Sequence, residues 1–291
     1  MRAQTEKSLY IQEYEFPADM DALLSFFEQV QTWQLFLWVA LWISVFGLLE
    51  NMIPVFALSY RRWHHARVNL SFLLTTAVIN FIVGLATAGV YVWIREHRFG
   101  IIYWLDLPAW ANLLLCLLLL DFIGMYCSHY ALHHFKWLWK FHMVHHSDTH
   151  VDVTTGTRHH PGDWLIREAF ALLAVVVTGA PVAFYFVFRF LNVVFTYLTH
   201  ANIILPGWLE KPLSYVFITP NVHKFHHHVE RPWTDSNYGN IFSLWDRLFG
   251  TFVRGDVQKV NYGLDVLQGR PDEGFIGQLK LPFDQTVKTD Y

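Results

Sequence analysis

The residue type whose number and spacing could do chemistry is histidine. The 291-residue chain holds 17, and fourteen of them fall between positions 129 and 228. Neutral imidazole is the commonest side-chain ligand for metal ions. In His129-Tyr-Ala-Leu-His133-His134 the first two boxed histidines stand at i and i+4. That stacks them on one helix face and turns His134 about 100° away. In His142-Met-Val-His145-His146 the spacing i, i+3 and i+4 keeps three imidazoles within about a third of the helix circumference. The pattern returns 81 residues later as His223-Lys-Phe-His226-His227, where Thr219-Pro220 supplies an N-cap and first helical residue and Pro232 a stop. One HxxxH pair is a common accident. Three boxes presenting eight imidazoles describe a metal site.

Eight ligands exceed what one ion needs, since a tetrahedral zinc takes four and a catalytic zinc about three from protein. Two ions, each with three to five imidazoles and room for dioxygen or water, use the set. Imidazole suits iron, zinc, copper and nickel, so spacing does not choose the metal. The Glu-x-x-His pairs of soluble di-iron bundles and the His-Glu-x-x-His of zinc proteases do not occur.

The elements that must position these boxes are apolar. The chain is 54% hydrophobic and 18% aromatic with only 15% charged residues, against roughly 25% charged in soluble domains. This excludes a purely soluble enzyme and a disordered chain, and a net charge of −3 gives no reason to expect nucleic acid. Two cysteines, Cys116 and Cys127, make no disulfide framework. The fold class expected is an all-α membrane protein with about four membrane-embedded helices or hairpins and a helical cytoplasmic cap carrying the histidine boxes. Residues 1–32 are polar and acidic (Glu13, Glu15, Asp19, Asp21, Glu28) and do not read as a secretory signal. Residues 33–128 hold three transmembrane runs, from Trp33 to about Leu58, from Leu70 to Ile94 and from Pro108 to Cys127. Each is close to the about 20 residues a crossing needs. Residues 129–163 carry boxes one and two. Residues 164–199 form a tight hairpin split at Gly179-Ala180-Pro181 and interrupted by Arg167, Glu168 and Arg189. Residues 200–260 form the cap with box three, and 261–291 a tail, all within one catalytic domain. The basic loop Arg61–Arg67 places that side in the cytoplasm, and the boxes emerge on the same side. A bacterial inner membrane or an endoplasmic reticulum would both serve.

The order HxxxH, HxxHH, HxxHH on hydrophobic hairpins resembles the fatty acid hydroxylase / sterol desaturase superfamily of integral-membrane di-iron oxygenases. The surrounding sequence is similar as well: Trp139–Asp148, Asp152–Pro161, His200-Ala-Asn-Ile-Ile-Leu-Pro206, Asp235-Ser-Asn-Tyr-Gly239 and Leu244–Thr251. The likeness covers about residues 109–255. It implies two iron ions, dioxygen as co-substrate, electrons from outside, and hydroxylation or desaturation of an unactivated C–H bond of a membrane lipid: a sterol, fatty acyl chain, ether lipid or amino lipid. It also implies the ligands His129, His133, His142, His145, His146, His223, His226 and His227, with His200 as a ninth. Some relatives place a further histidine one turn earlier, where this chain has Thr196.

Asp148, Asp152, Asp235, Asn237 and Asp246 are the candidates to orient ligating imidazoles, with loop capping the alternative. His160 reads as an ordinary hydrogen-bonding group. His64 and His65 read as headgroup contacts at the membrane surface, His134 and His228 as facing away, and His97, His150 and His159 as lacking a partner at helical spacing. Asp121, two turns before His129, reads as facing the site, and Glu50 as lying near a span end. With no Rossmann fingerprint or haem-attachment motif, a separate reductase, cytochrome or ferredoxin must deliver electrons. The rival classes are a histidine-ligated haem electron carrier, which wants single histidines mid-span, and a membrane metal transporter, which wants ligands at the midplane. The histidines cluster at span ends instead.

Overall fold

The computed structural model describes residues 18–58, 60–269 and 274–289, so Glu13, Glu15 and most of the acidic N-terminal segment lie outside the described residues. In chain order the helices are α1 (Ala18–Glu28), α2 (Thr32–Met52), α3 (Arg62–His97), α4 (Ile101–Trp104), α5 (Ala109–Leu119), α6 (Ser128–His134), α7 (Lys136–His146), α8 (Pro161–Thr178), α9 (Val182–His200), α10 (Gly207–Leu213), α11 (Pro220–His226), α12 (Leu244–Leu248) and α13 (Phe275–Lys280). Among the described residues only isolated β-bridges occur. Four stretches are long and apolar enough to cross a membrane: Trp33–Met52, Arg62–Trp104, Ala109–His134 and Val182–His200. The chain is an all-helical integral membrane protein.

Three differences from the expected layout have physical reasons. The basic stretch 61–67 is not a loop but the first turns of α3, whose 36 residues rise about 54 Å, beyond the hydrocarbon core of about 30 Å. Proline is absent from Arg62 to His97, so the helix stops only where Arg98 turns left-handed at φ 48°. The surplus turns carry His65 and Asn69 to the side of the boxes, where both are buried. In the third span α5 and α6 are one helix, joined through a wider π-helical turn at Leu120–Cys127. Such turns are rare and cluster near functional sites. Within it Asp121 does not face the site. Its carboxylate accepts from the backbone N–H groups of Ile241 and Phe242 (3.2 Å each) and from Trp245 Nε1 (3.0 Å), anchoring the cap.

The hairpin 164–197 resolves into α8 and α9, of which α9 alone is a candidate span. Its charges are paired: Arg167 Nε donates to Asp163 Oδ1 (2.8 Å) and Arg189 to Glu168 (2.7 Å). Gly179, at φ 70°, ends α8, and Gly100, at φ 118°, sits against it. A Cβ on Gly100 would fall 2.3 Å from the Gly179 nitrogen, so the two turns meet backbone to backbone. Glu50, buried at the end of α2, accepts from the N–H groups of Val153 (2.6 Å) and Asn202 (2.7 Å), tying the first span to both site-bearing loops.

Candidate metal centre

Four helices deliver the imidazoles. α6 continues the third span and presents His129 and His133; α7 presents His142, His145 and His146; α9 ends on His200. α11 is started by Thr219, whose hydroxyl accepts from Val222 N–H (3.3 Å), with Pro220 at the first helical position. It presents His223 and His226, and His227 follows at its end.

All nine nominated histidines are buried, and they assemble into two groups: His129, His133, His142, His146 and His226, and beside them His145, His200, His223 and His227. Within the first, Nε2 atoms approach at 3.0 Å (His129–His142), 3.1 Å (His133–His146) and 3.2 Å (His142–His146). Within the second, His200 Nε2 lies 3.1 Å from that of His145 and 3.2 Å from that of His223.

Tautomers decide what these approaches mean. His129 Nδ1 lies 2.8 Å from Tyr238 O, His226 Nδ1 2.8 Å from Ser236 O, and His200 Nδ1 2.7 Å from Thr196 O. A carbonyl only accepts, so the proton of each ring sits on Nδ1 and Nε2 keeps a bare lone pair. His142 Nδ1 is likewise held by Asp163 Oδ2 (3.0 Å) and His133 Nδ1 by Asp235 Oδ1 (3.2 Å). The Nε2 atoms of His129 and His142 are therefore acceptor facing acceptor, and those of His133 and His200 turn lone pairs toward their neighbours. Two ring nitrogens each about 2.1 Å from one ion and at right angles to it lie about 3 Å apart, which is the spacing here. The Nδ1 atoms of His145 and His223, Nε2 of His226 and both nitrogens of His227 are buried without a protein partner, a costly state unless another species binds them. Electrostatics points the same way. Burial pushes His142 down to about 3 against the pull of Asp163. Burial and neighbouring imidazoles hold His145, His146, His223, His226 and His227 well below their ordinary value. Neutral rings are the ligating form.

The surrounding carboxylates sort differently from expectation. Of the five residues nominated to orient imidazoles, Asp235 meets one, His133. Asp148 and Asp152 do not: they flank His65, 2.8 Å and 3.2 Å from its ring nitrogens, with Asn69, Thr154, Thr155 and Tyr60 completing the cluster. His65 is thus buried in an ion cluster and not at the headgroups, because α3 extends past the membrane. Asp246 and Asn237 cap the loop around Tyr238: Asp246 accepts from Tyr238 and Gly239 N–H (2.8 Å each), and Asn237, at φ 52°, bridges Val222 and Val253. Their reach to the centre is through the Tyr238 and Ser236 carbonyls of that loop. His160 lies outside both groups, accepting from Gly162 N–H and donating to Leu279 O.

Two residues were missed. Asp163, fully buried, gathers His142, His159 and Arg167. Despite burial, Arg167 and the two imidazoles hold its carboxyl well below the usual carboxylate range. His159, given no partner from spacing, stacks on His145 (centroids 4.6 Å, 15°). One carboxylate thus holds a ring of the first group and a ring packed on the second. The available signal was the helix start His160-Pro161-Gly162-Asp163 with Arg167 at i+4.

Residues 113–251 match the fatty acid hydroxylase family. The ornithine lipid hydroxylase OlsE of Rhizobium tropici is 30% identical over 185 residues, 63% of this chain and 54% of that protein. The alkylglycerol monooxygenase of Homo sapiens is 28% identical over 182 residues, 61% of this chain and 38% of that protein. A very-long-chain aldehyde decarbonylase of rice, Oryza sativa subsp. indica, is 28% identical over 173 residues, 54% of this chain and 26% of that protein. The chain spans about half the length of the first of these relatives and less of the others. No solved structure matches. The segment similar to the fatty acid hydroxylase family, residues 113–251, carries all nine of the histidines gathered into the two groups.

Proposed function

We propose that the two imidazole groups hold two iron ions and that the chain is an O2-dependent lipid oxygenase, hydroxylating or desaturating an unactivated C–H bond of a membrane lipid with electrons from a separate donor. The observation that carries this reading is the convergence of nine buried imidazoles, five of them with Nδ1 held outward, into a group of five and a neighbouring group of four. The relatives named for ornithine lipid and alkylglycerol direct the choice of substrate toward lipids with a polar head and a long apolar chain. The basic start of α3 supports a cytoplasmic side for the centre.

The residues present fit such ions. His129, His133, His142, His146 and His226 would hold one, and His145, His200, His223 and His227 the other. Bound iron supplies the redox chemistry that activates dioxygen, which no side chain can provide. The protein's own part is orientation and exclusion. Asp163, Asp235 and the carbonyls of Thr196, Ser236 and Tyr238 keep protons on Nδ1 of five rings and fix their direction. Burial of all nine rings keeps bulk water from the reacting carbon. The spans α5–α6 and α9, which carry His133 and His200 at their ends, give a lipid lateral approach from the leaflet.

The test is turnover with ornithine lipid, alkylglycerol and fatty acyl lipids, O2 and a reducing partner, read by mass spectrometry. A product heavier by one oxygen, or lighter by two hydrogens, that disappears in His226→Ala is the expected result. Iron-loaded protein inert across the panel, or equal product from His226→Ala, would overturn the reading.

A further inference from the structure

The cap reaches far down the third span. Asp121 anchors Ile241, Phe242 and Trp245, while Phe249 stacks on Phe122 (5.7 Å, 6°) and Tyr126 (5.4 Å, 23°). Below these contacts only α5 remains, 11 residues or about 16 Å, roughly half of a hydrocarbon core of about 30 Å. The bilayer must therefore rise past residues 120–126 and meet the cap segment docked on them. On its outer side that segment is apolar: Leu248 is 66% and Phe249 53% exposed, with Leu244 beside them. The backbone of 214–218 pairs with 241–243, through Ser243 N–H to Val216 O (3.0 Å) and Ile218 N–H to Ile241 O (2.9 Å). This extends the face to Tyr215, Val216 and Trp208, all exposed.

At the rim of this face stand three cations. The guanidiniums of Arg247 and Arg254 lie 3.8 Å and 5.4 Å from the Phe252 ring centre and 4.9 Å and 6.0 Å from that of Tyr215. Arg254 Nη2 donates to Lys211 O (3.3 Å) and Arg247 Nη2 to Ser214 O (2.8 Å). Among the described residues no carboxylate forms an ion pair with Arg247, Arg254 or Lys211, and Arg247 Nε is buried with no partner. Like charges gathered on one aromatic pair, with tryptophan and tyrosine beside them, fit an anion at the level of lipid headgroups.

We infer that the face formed by α10, residues 214–217 and α12 is immersed in the leaflet on the side of the metal centre, with Leu244, Leu248 and Phe249 among acyl chains and Lys211, Arg247 and Arg254 binding the phosphate of an anionic phospholipid. This claim is independent of which metal the centre holds.

The whole protein in nanodiscs tests it in two arms. A fluorophore on Leu248→Cys, in a Cys127→Ser background, is quenched by lipids brominated in the acyl chain and shielded from aqueous iodide. Quenching by iodide and not by bromolipid would overturn immersion. In equimolar phosphatidylcholine and phosphatidylglycerol, native mass spectra of wild type show phosphatidylglycerol retained. The exposed pair Lys211→Ala/Arg254→Ala lowers that preference about tenfold, with metal content and melting temperature unchanged. An unchanged preference, or displacement of the lipid by inorganic phosphate at equal concentration, would overturn the headgroup assignment.

Discussion

Two buried polar clusters lie side by side in this molecule and are solved in opposite ways. In the centre nine imidazoles converge, five of them (His129, His133, His142, His200 and His226) with Nδ1 committed outward to a carbonyl or carboxylate, and Nε2 atoms approach one another at 3.0–3.2 Å. In the other cluster one imidazole, His65, lies between the carboxylates of Asp148 and Asp152, ringed by Asn69, Thr154, Thr155 and Tyr60. With Arg158, which donates to Asn69 and helps to lower Asp148, the second sets two cationic side chains against its two carboxylates. The first is complete only with cations. Burying histidines therefore does not define a metal site; the direction of their protons does.

The sharpest way to break this contrast is to delete a ring from each cluster. His142→Ala should abolish turnover and release metal from the five-imidazole group, checked by elemental analysis and assay. His65→Ala should leave metal content unchanged while melting metal-loaded and metal-free protein at equally lowered temperatures. A loss of about 3–5 kcal/mol is expected from leaving buried carboxylates unpaired. Equal metal loss in both variants would erase the distinction.

Next in size is Asp163→Asn, which keeps the shape at the His142 and His159 junction but removes the charge that Arg167 and both rings share. Metal affinity should fall about 10–100-fold, measured by chelator competition, with the rate of metal loss rising before any loss of helicity.

The pH response should separate the clusters as well. In the metal-free protein His142 sits at about 3 and five other rings of the centre are also held low, so between that range and the ordinary 6.5 the unfolded chain binds more protons. Stability then falls as pH drops through 6.5, by about 1.4 kcal/mol for each such ring one unit below it. Asp148 behaves oppositely in range: burial raises it, but His65 holds it well below the usual carboxylate value. Its contribution is present above about 3.9 and is lost only as pH falls through the folded value. Thermal melts of metal-free protein from pH 7.5 to 5.5 should show the decline, and Asp148→Asn should lower the curve without changing its slope there. The smallest effect belongs to Asp235→Ala. That side chain is partly exposed and meets His133 at 3.2 Å, so chelator competition should register less than about a tenfold change.

The helical spacing of the boxes made eight of the nine imidazoles legible, because ligands at i, i+3 and i+4 are a local geometric fact, while His200 followed only from the family resemblance. What holds them was much less so. Asp163 and His159 reach the centre only because the start of α8 folds back on α7, a tertiary contact no periodicity encodes. Asp148 and Asp152, read as partners of ligating rings, went to His65 because α3 outruns the bilayer. The apolar runs located the spans, yet Asp121 was taken to face the site when its helix instead widens into a π-turn and aims the carboxylate at the cap.

The central claim is that each imidazole group is completed by one ion. Elemental analysis of protein purified in mild detergent from iron-supplemented cells tests it most directly. The account predicts close to two irons per chain, falling by about one in His142→Ala and by about one in His145→Ala, without haem absorbance. A single ion per chain, haem, or no bound metal would contradict it.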